Sequence, residues 1–179
     1  MPIENKQDML LKKLMVFYKK TENMKQFMNV INNTDGISLR IIDYLCTNYA
    51  KTCDVVYYID KKTPFNLYLQ YRSQLKAYSK LQFDPFRRHT RIKISVPESL
   101  CPSGSLETTV AQLNFFKWAI ENKVIAYLQD KENFKQVEEH MNAVTKPKCK
   151  KDNTSKMHIK SKKNVSAKRH NINVTVTFR

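Results

Sequence analysis

The segment SLETTVAQLNFFKWAIENKVIAYL, residues 105–128, gives the clearest indication of the fold. Its apolar residues occur on most faces of a helix instead of on one stripe, and a helix of that kind is buried in a domain core. The pattern predicts one central helix that begins at Ser105 and runs to about Leu128, with Glu107 in the first turn, where the helix dipole favours an acid. The predicted core residues are Val110, Leu113, Phe116, Trp118, Ile120, Val124, Ile125 and Leu128.

Four amphipathic helices are predicted around this central helix. The first covers about residues 4–19, the second begins at Thr21, the third begins at Ser38 after the turn Thr34-Asp35-Gly36, and the fourth begins at Asp130. Apolar residues recur at helical spacing in all four. In chain order these residues are Met9, Leu10, Leu14, Phe17 and Tyr18; Met24, Phe27, Met28 and Ile31; Leu39, Ile42, Leu45 and Cys46; and Phe134, Val137, Met141 and Val144.

Alternating β-branched and aromatic residues predict a small sheet. Residues 54–60 and 65–71 have this pattern and predict a hairpin over 54–71, while residues 72–80 fit a strand and a helix equally well. Residues 91–96 predict a strand with one solvent-exposed face, and Pro97 and Pro102 bound the loop after it. The sequence therefore predicts an α+β fold, with a helix-rich body and a small, mostly antiparallel sheet.

The composition changes at Thr145. Residues 145–170 contain ten Lys or Arg against one acid, so we expect this basic segment to be disordered until it binds a partner. Residues 171–179 alternate again and predict a strand that returns to the sheet of the body or adds to a partner's sheet edge. The predicted domains are a globular domain at 1–144, a basic flexible segment at 145–170 and a C-terminal strand at 171–179.

The net charge of +16 is concentrated in two segments. Residues 72–93 hold seven bases and one acid, and residues 145–170 hold most of the remaining excess. Such segments indicate an anionic partner, for which nucleic acid comes before a membrane surface or an acidic protein. The predicted phosphate-binding residues are Arg72, Lys76, Lys80, Arg87, Arg88, Arg91 and Lys93 in the body, and Lys148, Lys150, Lys151, Lys160, Lys162, Lys163, Lys168 and Arg169 in the basic segment.

Aromatic residues lie between the bases of residues 72–93, and two interpretations are open for them. They can stack on unpaired bases, or they can belong to the core while the charged side chains point outward. Asp84-Pro85-Phe86 predicts a turn that projects Arg87 and Arg88, unless Asp84 pairs with one of these two arginines. The aromatic residues concerned are Tyr71, Tyr78, Phe83 and Phe86.

No catalytic or metal-binding motif is found in the sequence. The patterns GxSxG and HExxH, a P-loop and a dinucleotide fingerprint are absent, and the four histidines have no metal-ligand spacing with the cysteines. A tyrosine-based strand-transfer enzyme is a weaker alternative, because a second arginine box is missing. A nuclease with a metal at Asp43, Asp54 or Asp60 is also weaker, because helix caps and solvated strand ends explain these acids better. We expect no enzymatic activity and no cofactor, and we expect Cys46 and Cys53 in the core.

The location is predicted from features that the sequence lacks. It has no apolar stretch of about 18 residues, so no membrane span is expected, and its first residues do not read as a signal peptide. These features favour an intracellular protein. Four cysteines without CxxC spacing are then expected to be free thiols.

Five segments form a recognisable set: SLRIIDY at 38–44 with Thr47-Asn48-Tyr49, YRSQLKAYS at 71–79, FDPFRR at 83–88, ETTVAQLNFFKWAIEN at 107–122 and VTVTF at 174–178. The set resembles a family of small conserved proteins of the nucleocytoplasmic large DNA viruses, the giant viruses. The resemblance implies a location in cytoplasmic viral factories of the host, with the virion as a second location, and it implies no particular activity. Two roles are natural for such a protein. The first is nucleic-acid binding, for packaging or in the virion core, with DNA favoured over RNA. The second is a structural or scaffold role, in which the C-terminal strand joins the protein to other viral proteins.

Overall fold

The computed structural model describes residues 5–60, 62–87 and 90–145. The fold is α+β, as predicted, and the described strands form two antiparallel pairs instead of one sheet. The predicted basic segment from residue 146 onward and the strand at 171–179 lie outside the described residues. In chain order the described elements are α1 (Lys6–Tyr18), α2 (Thr21–Ile31), α3 (Leu39–Tyr44), a π-helical turn (Leu45–Tyr49), α4 (Ala50–Cys53), β1 (Val56–Tyr58), β2 (Pro64–Asn66), α5 (Leu67–Ala77), α6 (Lys80–Phe83), β3 (Arg91–Ser95), β4 (Ser105–Thr109), α7 (Val110–Glu121), α8 (Val124–Gln129) and α9 (Lys131–Thr145).

Helix α7 is the central buried helix, as the sequence predicts. Helices α1, α2, α6 and α8 all pack against it, and Phe116 on α7 is fully buried. Its ring meets the ring of Phe27 on α2 edge-on at 4.9 Å. The Tyr18 hydroxyl on α1 donates a hydrogen bond of 2.8 Å to the Leu113 carbonyl. These contacts hold the N-terminal helices against α7.

The start of the central helix was predicted wrongly. Residues 105–109 form strand β4, so Glu107 lies opposite Lys93 of β3 and not in a helical turn. Helix α7 begins only after Thr109, which is extended and accepts the Gln112 backbone N–H on its hydroxyl at 3.1 Å. Threonines suit a strand as well as a helix start, and pairing with β3 selects the strand.

The predicted single helix is also broken, between α7 and α8. Lys123 has a left-handed backbone with φ of +56°, and a residue in this conformation ends a helix. The Asn122 side-chain amide donates to the Trp118 carbonyl at 2.8 Å. Because both helices bury their apolar residues in one core, the apolar pattern runs through the break and hides it.

The predicted hairpin over 54–71 is only partly correct. Strands β1 and β2 pair with Tyr57 opposite Phe65, but the chain becomes helical at Leu67. Asn66 caps this helix, since its side-chain oxygen accepts the Leu69 backbone N–H at 3.0 Å. Residues 72–77, which fitted strand and helix equally well, therefore belong to helix α5.

Of the seventeen predicted inward-facing residues of the outer helices, nine are buried, five are partly buried and three are exposed. Met9 is 48%, Ile31 36% and Val144 65% exposed. Ile31 is the last residue of α2 and Val144 lies in the last turn of α9, where a helix extends past the core, while Met9 lies at the edge of the buried face of α1. Ser38 caps α3 as predicted, with its hydroxyl accepting the Ile41 N–H at 3.4 Å.

Cys46, Cys53 and Cys101 are free thiols, as expected. Cys46 is fully buried, and burial raises the pKa of its thiol well above the ordinary value. Cys53 is exposed rather than in the core, because it ends the short helix α4 at the surface. Among the helices described, none has the length and apolar character required to span a membrane.

Candidate nucleic-acid interface

Three of the predicted phosphate-binding residues lie on consecutive helices. Arg72 and Lys76 are exposed on α5, and Lys80 is exposed at the start of α6. Residues 67–83 contain no acid, so these two helices carry no negative charge of their own. We call Arg72, Lys76 and Lys80 the α5–α6 basic surface. Arg72 and Lys76 are four residues apart and therefore lie on one face of α5, with their Cβ atoms about 6 Å apart.

The guanidinium of Arg72 is positioned by an aromatic neighbour. Its Cζ atom lies 5.8 Å from the centre of the Tyr68 ring, one helical turn before it. A cation over a ring face is held by the ring quadrupole, and the guanidinium has five N–H donors that suit phosphate oxygens. The contact therefore restricts the side chain of Arg72.

Three of the four interleaved aromatic residues belong to the core or pack on it. Phe83 is fully buried and Tyr71 is 6% exposed. The Tyr78 ring stacks on Phe83 with centres 5.9 Å apart, and Trp118 meets Phe83 edge-on at 5.8 Å. The core interpretation is therefore correct for these three aromatic residues. Phe86 differs from them, with 46% of its surface exposed.

The predicted turn at residues 84–86 is present. The Asp84 side-chain oxygen Oδ1 accepts the Phe86 backbone N–H at 3.0 Å, and the Arg87 N–H donates to the Asp84 carbonyl at 3.1 Å. Pro85, between them, is buried. The turn is thus braced by its own hydrogen bonds and anchored by a buried proline, and it presents Phe86 to solvent.

Arg87 is half-buried. The prediction that the turn projects this side chain fully into solvent is therefore wrong. The Nε atom of Arg87 is buried and has no hydrogen-bond partner within the described residues, an arrangement that costs about 1–3 kcal/mol. The hydrogen bond from its backbone to Asp84 keeps the start of the side chain close to the body. Arg88 lies outside the described residues.

The positive charge on β3 is partly neutralised. Arg91 and Lys93 are both exposed, but Arg91 Nη1 lies 3.3 Å from Glu107 Oε1, and Lys93 is the cross-strand partner of Glu107. Both members of the ion pair are about half exposed, at 53% and 49%, so the pair contributes little stability. Because the carboxylate of Glu107 offsets part of the positive charge, we expect β3 to attract phosphate less strongly than the α5–α6 basic surface does.

Helix α6 and the start of β3 are attached to the same end of α7. The Asn114 side-chain amide, which is buried, donates to the Gln82 carbonyl of α6 at 2.9 Å. Arg91 pairs with Thr109, the residue that caps α7. Asn114 and Thr109 are five residues apart, or about 7.5 Å along a helix axis. The fold therefore attaches both α6 and β3 to the N-terminal half of α7.

Asp43 is not the helix cap that the sequence suggested, since it lies within α3 and is half-buried. Burial, and secondly the nearby Asp84 carboxylate, raise its pKa from 3.8 to about 6. Two neighbouring carboxylates can attract a metal ion, but the described residues hold no group of three or more side chains suited to bind one. The geometry of Asp43 therefore adds nothing to the nuclease alternative.

A further cluster joins α9 to the N-terminal half, and no sequence pattern indicated it. The Tyr44 hydroxyl lies 2.7 Å from His140 Nδ1, and the Tyr49 ring meets the His140 ring edge-on at 5.3 Å. The Tyr49 hydroxyl also donates to Gln136 Oε1 at 3.3 Å. This cluster fixes α9, the last described helix before the basic segment.

Comparison with known proteins places the chain in a family. The model described as "Family of unknown function (DUF7197)" matches residues 3–177. The chain belongs to this family. An uncharacterized protein of Acanthamoeba polyphaga mimivirus is 35% identical over 137 residues, which cover 74% of this chain and 52% of the relative. The chain thus spans about half the length of that relative, and no solved structure matches this chain.

The comparisons confirm the resemblance to a giant-virus family of unknown function. The range matched by the DUF7197 family includes the α5–α6 basic surface and the turn at residues 84–86. The structure places the turn directly after α6, and β3 carries a partly neutralised pair of bases. The predicted binding residues from Lys148 to Arg169 lie outside the described part of the chain. The exposed side chains of Leu81 and Phe86, at 53% and 46%, are surface features that sequence patterns alone could not separate from the core.

Proposed function

We propose that the protein binds nucleic acid through the α5–α6 basic surface and does not read base sequence. The observation that carries this proposal is the exposure of Arg72, Lys76 and Lys80 on a segment without acids. Cations in such a setting attract the phosphate backbone and release its counterions. Phosphate contacts of this kind position a protein on nucleic acid but carry no sequence information.

We expect the basic segment at 145–170 to supply further phosphate contacts. Its ten bases face one acid in the sequence, a composition that favours wrapping a polyanion after initial contact. DNA is the favoured ligand because the family resemblance is to proteins of large DNA viruses. We propose the viral factory and the virion as the sites of action, and a binding role without catalysis.

The experiment compares two variants of the full-length chain that lose equal charge. One carries Arg72→Gln, Lys76→Gln and Lys80→Gln. The control carries Lys13→Gln, Lys25→Gln and Lys131→Gln, three residues that are also exposed on helices. Fluorescence anisotropy with labelled DNA and RNA at physiological salt gives the affinities, and circular dichroism checks that both variants are folded.

We expect the α5–α6 variant to bind about 150-fold more weakly than wild type, since each of the three lost cations contributes about 1 kcal/mol at an anionic surface, or about 3 kcal/mol together. The affinity of the control variant should stay within about threefold of wild type, because its three replaced lysines lie outside the proposed surface although the loss of net charge is the same. Equal losses in both variants would show that only net charge matters and would contradict the proposal. Absence of wild-type binding would favour the structural role through the C-terminal strand. Cleavage of the labelled strand with Mg²⁺ would contradict a purely binding role.

A further inference from the structure

Exposed apolar side chains are concentrated in the part of the chain that carries the α5–α6 basic surface. Of the ten large hydrophobic side chains that are exposed in the described part of the chain, four lie between residues 69 and 86. A single exposed apolar residue needs no explanation, whereas a group of them beside cations indicates a binding surface. Phe86 is the one aromatic member, and the others are Leu69, Leu75 and Leu81.

Phe86 is held in place before any ligand arrives. The Asp84 carboxylate accepts its backbone N–H at 3.0 Å, the next peptide closes the turn at 3.1 Å, and Pro85 is buried. An aromatic ring has only two side-chain torsions, so little conformational entropy remains to be lost when it contacts a ligand. The turn thus presents the ring to solvent from a fixed backbone position.

Cations lie close to this ring along the chain. The Asp84 N–H donates to the Lys80 carbonyl at 3.1 Å, so the helix that carries exposed Lys80 leads directly into the turn. Half-buried Arg87 follows the ring in sequence. The region therefore combines positive charge for a phosphate backbone with a free π face for a base, which is the combination used by proteins that bind single strands.

We propose that Phe86 stacks on an unpaired base, and that the surface therefore binds single-stranded nucleic acid in preference to duplex. This inference rests on the proposed function. In a duplex the bases are stacked on one another and are not available to an outside ring, while every unpaired base offers a face whatever its sequence. The leucines supply apolar contact but no π face, so their contribution does not depend on stacking.

The test measures binding of the full-length protein to a 20-nucleotide single strand and to its duplex, for wild type, Phe86→Ala and the control Met9→Ala. Phe86→Ala should weaken single-strand binding about 5- to 150-fold, as expected for the loss of one base–aromatic stack, and should change duplex binding less than about twofold. Met9→Ala removes an apolar side chain of similar exposure (48%) on α1, outside the proposed surface, and should change single-strand binding less than about twofold.

Phe86→Trp gives a direct readout of stacking. The sequence has one tryptophan, Trp118, which is 6% exposed, so the new indole would be the only exposed tryptophan among the described residues. Stacking on a base should quench its fluorescence, and single-strand affinity should match wild type. The inference is overturned if wild type binds both ligands but Phe86→Ala weakens neither or both equally, or if the Phe86→Trp variant shows no quenching at saturation. Failure of wild type to bind either ligand overturns the proposed function itself.

Discussion

Replacing Phe83 by alanine should destabilise the protein strongly, whereas the same change at Phe86 should not. Phe83 is fully buried, and its ring contacts those of Tyr78 and Trp118 at 5.9 and 5.8 Å. Truncation of a buried Phe costs about 3–5 kcal/mol, against a total stability of about 5–15 kcal/mol for a domain. Phe86 is 46% exposed, so its loss should cost about 0.5 kcal/mol or less.

Urea unfolding followed by tryptophan fluorescence measures both costs. Trp118 is the sole tryptophan and a direct neighbour of Phe83, so its emission reports on this part of the core. With a slope of about 2 kcal/mol per molar urea, the Phe83→Ala midpoint should fall by about 1.5–2.5 M. Phe83→Leu, which keeps most of the volume, should lose clearly less. An unchanged Phe83→Ala midpoint, or an equal fall for Phe86→Ala, would refute the division into core and surface aromatic residues.

Two further substitutions test electrostatics and capping in the body. The folded-state pKa of Asp43, about 6, lies above its ordinary 3.8, so the folded protein holds this proton more tightly, and stability is lost as the pH rises from about 4 to about 6. Asp43→Asn should therefore raise the free energy of unfolding by about 1–2 kcal/mol at pH 7, after allowance for partial exposure, and change it little at pH 4. Urea titrations at the two pH values measure the difference, and an equal gain at both would contradict this cause. Thr109→Ala removes the cap of α7 and should cost about 1 kcal/mol, while Thr109→Ser should keep most of it; equal losses in thermal unfolding would show that the hydroxyl is not the cap.

Regular apolar patterns made much of the fold predictable. The stripe after Ser38 and the all-round apolar run after Val110 correctly indicated helices, because burial dictates where such residues repeat. The same logic failed at residues 105–109 and at Lys123. There the outcome depends on pairing with a strand elsewhere in the chain and on one backbone conformation, and neither leaves a periodic signal.

The candidate site was predictable in its charge but not in its geometry. The count of bases and acids along the chain located residues 72–93. The residue types Asp84 and Pro85 correctly indicated the turn. That Phe83 is buried and Phe86 exposed is known only from the structure. The pairing of Arg91 with Glu107 likewise depends on the register of β3 and β4. The contact of Tyr44 with His140 joins residues 96 positions apart, which no local pattern encodes.

The most direct test of nucleic-acid binding through the α5–α6 basic surface is the salt dependence of affinity for the two matched triple variants. The logarithm of the binding constant falls linearly with the logarithm of salt concentration, by about 0.7 per phosphate contact on single strands and about 0.9 on duplex. If Arg72, Lys76 and Lys80 each contact a phosphate, their replacement should reduce the slope by about 2 on a single strand. The control with Lys13, Lys25 and Lys131 replaced should keep the wild-type slope. Identical slopes for wild type and both variants would contradict phosphate binding by the α5–α6 basic surface.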